Sequence, residues 1–141
     1  EERDRSNSPI LIAEDSPLLS KLICECLRKA GYTNLIVNMN GQEAWDKLCE
    51  MKERGTVLDD VHCIITDIEM PLMDGHRLTK LVKENEVMKK IPVVIFSSLI
   101  NEEIRLKGES LGADAQLTKP EIGKLVSAID GLIEKYEAGR K

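Results

Sequence analysis

The sequence predicts an α/β fold, a doubly wound parallel sheet with helices on both faces. Three observations predict it. Short apolar runs recur five times along the 141 residues, each followed by a segment of helical periodicity. The runs are near-continuous in Ile, Val and Leu, the pattern of strands buried on both faces. Strict strand–helix alternation then implies parallel strands joined by right-handed crossovers. No internal repeat or low-complexity stretch interrupts it.

The elements follow in order. Residues 1–8 mix charge with Ser and Asn and are expected to form a linker or tail. Ile10, Leu11, Ile12 and Ala13 make the first strand. Leu19, Leu22, Ile23, Cys26, Leu27 and Ala30 then repeat at helical spacing up to a stop at Gly31. Residues 34–37 form the second strand, and Ala44, Trp45, Leu48 and Met51 mark a helix ending near Gly55. Residues 61–66 form the third strand, leading into Asp67, and Asp74-Gly75 opens a helix carrying Leu78, Leu81 and Val82. Residues 92–96 form the fourth strand. Asn101, followed by Glu102 and Glu103, caps a helix, because Asn accepts orphan amides and acids favour the positive helix end. Residues 113–118 form the fifth strand. The last helix carries Leu125, Val126, Ile129, Leu132 and Ile133, and the domain is expected to span 9–135 with a tail over 136–141.

Composition excludes more than it assigns. Twenty-five acidic against 20 basic side chains give a net charge of −5, a field that repels phosphate backbones, so no nucleic acid is expected as a partner. Only Trp45, Phe96, Tyr32 and Tyr136 are aromatic. No apolar run approaches the ~18 residues of a membrane span, and the charged start is no signal peptide. The expectation is a cytoplasmic domain without membrane insertion. Cys24, Cys26, Cys49 and Cys63 lack metal-ligand spacing and are expected as reduced packing residues. Cys24 shares a helical face with Lys21, Glu25 and Arg28, so it is expected to be the most exposed. His62 and His76 are not paired as ligands.

In a doubly wound sheet, ligands gather outside the carboxyl ends of the strands. Glu14-Asp15 follows the first strand, Asp67 and then Glu69 the third, Ser97-Ser98 the fourth and Lys119-Pro120 the fifth. Each alone has an ordinary reading as a cap, turn or solvated residue. Together they place several carboxylates beside one ammonium and one hydroxyl. Like charges so close are costly unless a cation lies between them. Oxygen-only ligands suit Mg²⁺. Metal and lysine would neutralise a transferring phosphoryl group, and one carboxylate could itself become the acceptor.

Four strings carry a family resemblance: Ile-Ala-Glu-Asp-Ser (12–16), Thr-Asp-Ile-Glu-Met-Pro-Leu-Met-Asp-Gly (66–75), Phe-Ser-Ser (96–98) and Gly-Ala-Asp-Ala-Gln-Leu-Thr-Lys-Pro (112–120). In these the chain resembles two-component receiver domains over about residues 9 to 135. Segments 66–80 and 97–120 are most similar to the C-terminal receiver of CheV-type chemotaxis coupling proteins, where a CheW-like adaptor precedes it. The resemblance implies a flavodoxin-like (βα)5 fold with strand order 2-1-3-4-5. It implies that Asp67 accepts phosphate from a phosphohistidine on a CheA-like sensor kinase. Asp15, Asp67 and the backbone carbonyl of Glu69 would ligate Mg²⁺, with Glu14 acting mostly through water. Lys119 and Ser97 would contact the phosphoryl oxygens. Pro71 would rigidify its turn, and Lys119-Pro120 would be a cis peptide. Chemoreceptor-array components would be reached through an adaptor domain outside these residues.

Two features depart from the family or tune it. The family's aromatic switch position holds Gln116, so output is expected to run through Ser97, the 98–100 loop and the helix after Asn101. Glu69 and Leu99 occupy positions expected to set phosphoaspartate lifetime. The resemblance thus implies a phosphoacceptor switch rather than an enzyme. A competing class is an Mg²⁺-dependent phosphohydrolase of the haloacid-dehalogenase type with Asp67 as nucleophile. That class wants a second Asp two residues on, where this chain has Glu69. A flavodoxin-like cofactor binder would want a Ser/Thr-rich phosphate cradle after the first strand, and none is present.

Overall fold

A computed structural model describes residues 3–140. Five strands, β1 (Ile10–Ala13), β2 (Leu35–Asn38), β3 (Cys63–Thr66), β4 (Val93–Ser97) and β5 (Ala115–Thr118), form one parallel sheet in the order β2-β1-β3-β4-β5. The helices are α1 (Pro17–Lys29), α2 (Gly41–Glu53), the single turn α3 (Val57–Asp60), α4 (Gly75–Glu84), α5 (Glu102–Ser110) and α6 (Ile122–Ala138). Short 3₁₀ turns occupy Arg5–Asn7, Met88–Lys90 and Lys119–Glu121. Alternation and strand order are as the sequence predicts. The periodicity did not signal α3 or the 3₁₀ turns, which are too short to show a repeat.

The strand side chains sort by a period of two. Leu11, Ala13, Ile64 and Val93 join Ala44 and Leu48 of α2 and Leu78 and Val82 of α4 on one face. Ile10, Ile12, Ile65, Val94 and Phe96 join Ile23 and Leu27 of α1 and Leu125, Ile129 and Ile133 of α6 on the other. Burying each of the larger side chains contributes about 1.5–3 kcal/mol, so this two-faced core dominates the fold's stability. The edge strand β5 is only half-buried along its length, and among α5's residues only Gly108 is buried.

The helix starts explain why the loops lie where they do. Ser16, Asn40, Asp74 and Asn101 each cap a helix, their side-chain oxygens accepting from the amides of Leu19, Glu43, Arg77 and Ile104. Each capped loop connects the carboxyl end of a strand to the next helix, so four polar turns converge at one end of the sheet.

Four expectations change. Cys24 is buried, 4% exposed, while Leu22 is 44% exposed. The face of α1 turned to the sheet is Ser20, Ile23, Cys24 and Leu27, a rotation that the Ile23–Leu27 pair enforces by filling the core. All four cysteines are free thiols, and burial pushes Cys63 up to about 12. The segment read as a tail is docked. Arg3 and Arg5 both donate to Asp130 of α6, and the Ser8 hydroxyl donates to Glu137 at 2.6 Å. At the other terminus α6 continues past 135 to Ala138, because Tyr136 is buried and its hydroxyl donates to the Leu58 carbonyl at 2.6 Å. Finally, no peptide bond among the described residues is cis, so Lys119-Pro120 is trans. Pro120 sits in the first turn of the 119–121 3₁₀ helix, where a proline's fixed φ and missing amide are accommodated.

Candidate functional site

Backbone pairing places the acids. The Glu14 amide donates to the Asn38 carbonyl at 3.0 Å, and the Asp67 amide donates to the Ala13 carbonyl at 3.0 Å. The parallel ladder thus continues one residue beyond β1 and β3 and fixes both acids at the sheet's end. The loop after Asp67 is fixed by α4: the Gly75 amide donates to the Ile68 carbonyl at 2.7 Å. A Cβ on Gly75 would lie 1.8 Å from the Asp67 carbonyl oxygen, so only glycine allows α4 to start this close to the acid's backbone.

Glu14, Asp15 and Asp67 each offer a carboxylate oxygen within 4.8 Å of the others. Glu14 is 1% exposed and Asp67 7%, with Asp15 the most open of the three. Lys119 reaches in from the end of β5. Its Nζ donates to Asp67 Oδ2 at 2.9 Å and lies 3.1 Å from Glu14 Oε1. The second contact is an ion pair without hydrogen-bond alignment, which leaves the buried Glu14 Oε1 without a hydrogen-bond partner. The remaining oxygens are held locally: Asp67 Oδ1 accepts from the Ile68 amide at 2.7 Å and Glu14 Oε2 from the Ser16 amide at 3.1 Å.

The electrostatics follow from Glu14 and Asp67 sharing one ammonium, with Asp15 close by. Burial pushes the Glu14 carboxyl above its usual range and the charge on Asp67 adds to this, against the Ser16 amide and Lys119, which lower it. Burial works against the Lys119 ammonium, but its hydrogen bond and charge pairing with Asp67, then with Glu14, hold its pKa above the ordinary lysine value. The oxygen-only donor set, the uncompensated acid and the orphan Glu14 oxygen fit a hard divalent cation such as Mg²⁺.

The other residues singled out in the sequence do not join this cluster. Ser97 ends β4 and is 2% exposed, and its hydroxyl accepts from the Leu99 amide at 3.3 Å. It is engaged with its own loop rather than with the carboxylates. The Glu69 side chain is exposed, as is Leu99. Gln116 is half-buried and not free: its Nε2 donates to the Arg105 carbonyl of α5 at 2.8 Å, while its Oε1 is buried without a partner. A Cβ on Gly108 would lie 2.4 Å from that Oε1, so the glycine in α5 makes room for the amide. His62 Nδ1 lies 2.6 Å from Glu137, at the opposite end of β3 from Asp67. His76 is buried with Nε2 unpartnered, and burial followed by the charge on Lys107 lowers its pKa.

One supporting residue escaped the sequence reading. Glu121 Oε1 accepts from both the amide (2.9 Å) and the hydroxyl (2.8 Å) of Thr118, which ties down the turn that carries Lys119. These two bonds hold the Glu121 carboxyl down at about 2. The Thr118-x-x-Glu121 spacing is a capping-box signature and was available as a signal.

Comparison with known proteins places this geometry. Residues 10–130 match the family model described as the response regulator receiver domain. The chain is 33% identical over 125 residues to the gliding motility regulatory protein of Myxococcus xanthus, covering 87% of this chain and 15% of that protein. It is 33% identical over 114 residues to the chemotaxis protein CheV1 of Helicobacter pylori, covering 81% of this chain and 34% of that protein. The chain therefore corresponds to only a part of these relatives. A solved signal receiver domain of a histidine kinase from Syntrophus aciditrophicus superposes with a TM-score of 0.78 at 29% identity, covering 91% of each chain.

Proposed function

The chain belongs to the response regulator receiver domain family, and from that premise we propose that Asp67 is its phosphoacceptor, loaded from a phosphohistidine of a sensor kinase. The observation that carries this reading is the Lys119 ammonium, 2.9 Å from Asp67 and 3.1 Å from Glu14, at the mouth of a pocket with excess negative charge. An Asp67 carboxylate oxygen attacks phosphorus. The phosphorus–nitrogen bond breaks, its electron pair leaves on the imidazole, and an acyl phosphate remains. Glu14, Asp15, Asp67 and the backbone carbonyl of Glu69 would hold Mg²⁺, which when bound supplies charge neutralisation for the phosphoryl oxygens. Lys119 follows the developing charge from Asp67 onto those oxygens. Ser97, whose hydroxyl holds only its own loop, is available to turn toward them and draw the 98–100 loop inward.

We read the chain as a chemotaxis receiver of CheV type fed by a CheA-like kinase, serving adaptation or acting as a phosphate sink. The likeness to the H. pylori CheV1 protein supports this. A cytoplasmic location accompanies the reading, and no described helix is long and apolar enough to cross a membrane. Glu69 and Leu99, both exposed beside the pocket loops, set the acyl phosphate's lifetime. Glu69→Asn and Leu99→Glu should each change the dephosphorylation rate, and unchanged rates in both would remove that role.

The deciding experiment is incubation with acetyl phosphate and Mg²⁺, read by intact mass. One labile phosphoryl group is expected on the wild type and none on Asp67→Asn. Rapid turnover of small phosphate esters, without an accumulating adduct, would instead indicate the hydrolase.

A further inference from the structure

A cavity of about 610 Å³ opens at the amino ends of β4 and β5, bounded by Pro92 just before β4 and Asp114 just before β5. It lies at the opposite end of the sheet from Asp67. Among the described residues five cations line it, Lys83, Lys89, Lys90, Lys135 and Arg140, against the single carboxylate of Asp114. Such a concentration of positive charge runs against a chain whose net charge is −5.

Part of this charge has a structural job. Lys83 and Lys135 stand in the last turns of α4 and α6, where cations complement the helix dipole. Lys83 is fully committed, pairing with Asp114 at 2.8 Å and donating to the Ile91 carbonyl at 2.8 Å. Arg140 donates to the Leu58 carbonyl at 2.6 Å and pairs with Asp59. Lys89 pairs at 3.1 Å with Glu86 on an open surface. Lys90 and Lys135 are exposed and have no ion-pair partner among the described residues.

The floor separates this cavity from an ordinary solvated face. Leu58, Pro92 and Leu132 line it together with the cations, adding apolar surface to the charged one. The volume falls within the ~300–1,000 Å³ of small-molecule sites. Several cations around one concavity match more than a single negative charge. A phosphate ester supplies it, with up to roughly two charges and several acceptor oxygens on a terminal phosphate.

We propose that this cavity reversibly binds a small organic phosphate of nucleotide size. Its phosphates lie against Lys90, Lys135 and the exchangeable Lys89, and its apolar body rests on Leu58, Pro92 and Leu132. No bond is made or broken, and occupancy is independent of the Asp67 site.

The test is an NMR titration of the ¹⁵N-labelled chain with ADP, pyrophosphate and adenosine in EDTA, so that the acidic site holds no metal–phosphate complex. Saturable shifts are expected around residues 89–92 and 132–140, with ADP binding more tightly than pyrophosphate and adenosine not at all. Lys90→Glu combined with Lys135→Glu should weaken ADP about 10-fold or more. Both side chains are exposed and unpaired, so the variant should keep its dispersed spectrum and its acetyl phosphate labelling. Absence of saturable shifts, shifts confined to Glu14, Asp15 and Asp67, or unchanged ADP affinity in the double variant overturns the proposal. Equal affinity for pyrophosphate and ADP overturns the organic-ligand assignment, because the floor would then contribute nothing.

Discussion

Two polar clusters sit at opposite ends of the same sheet and differ in how their charge closes. At the amino end, Asp130 accepts from Arg5 Nε (3.0 Å) and a terminal Arg5 nitrogen (2.8 Å), from Arg3 (3.2 Å), and from the Tyr32 hydroxyl. Glu137 accepts from Ser8 and faces His62 Nδ1, each at 2.6 Å. Every acid there meets donors on more than one element. At the carboxyl end, Glu14 and Asp67 share Lys119, and Asp15 beside them has no ion-pair partner among the described residues. The closed cluster ties the leader segment, the turn before β2 and α6 into one unit. The open cluster stores repulsion that only a cation or a change in charge relieves. Buried charge therefore holds a fold where it is matched and can act as a site where it is left in excess.

The sharpest way to break this contrast is to remove the ammonium. Lys119→Ala should slow phosphorylation by acetyl phosphate roughly 10²–10³-fold, the usual cost of losing one charge-stabilising donor, as measured by single-turnover kinetics. A rate within a few-fold of wild type would mean that the open cluster does not use its one cation for chemistry.

Asp130→Ala probes the closed cluster, since it removes the acceptor shared by two guanidinium groups and a buried phenol. A loss of about 2 kcal/mol is expected in urea unfolding, less than for a fully buried pair because the site is partly exposed. Phosphorylation of the folded protein should not change. Deleting residues 1–5 should cost a comparable or smaller amount, since Tyr32 can still donate to Asp130.

Glu14→Gln should act in the opposite direction. Neutralising a buried acid repelled by Asp67 should stabilise the metal-free chain by about 1 kcal/mol while weakening Mg²⁺ binding, read by thermal melts with and without the ion. A destabilised variant would show that Glu14's hydrogen bond from Ser16 and its ion pair with Lys119 outweigh the repulsion.

The smallest effect is a pH dependence. The Arg5 hydrogen bond lowers the Asp130 carboxyl against the opposing effect of burial, with Tyr32 and the guanidinium charges adding to it. The folded chain thus gives up this proton more readily than the unfolded chain. The stability it contributes is complete above the ordinary carboxylate pKa and fades as pH falls through the lowered folded value. The stability gap between wild type and Asp130→Asn should narrow on acidification. A constant gap would assign the clasp to packing rather than charge.

Much of this was readable without coordinates because it is local or periodic. The β-branched runs specify strands, and Ser16, Asn40, Asp74 and Asn101 carry their capping chemistry in their own side chains. The site acids were legible because a doubly wound fold brings strand ends together. Cys24 was misjudged because α1's polar residues include Ser20 on the buried face, and the sheet rather than composition decides which face is covered. Residues 3–8 looked like a tail because their partners, Tyr32, Asp130 and Glu137, lie far along the chain.

The five strand–helix pairs, the helix starts and the set of acids, lysine and serine at the strand ends follow from spacing and side-chain type alone. Which charges meet depends on the folded chain. Lys119 bridging Glu14 and Asp67, Gln116 tucked over Gly108, and the clasp on Asp130 all join segments far apart in sequence. Electrostatic and hydrogen-bond energies fall off over a few ångströms, so contact distances, not composition, fix whether a charge is matched or left open.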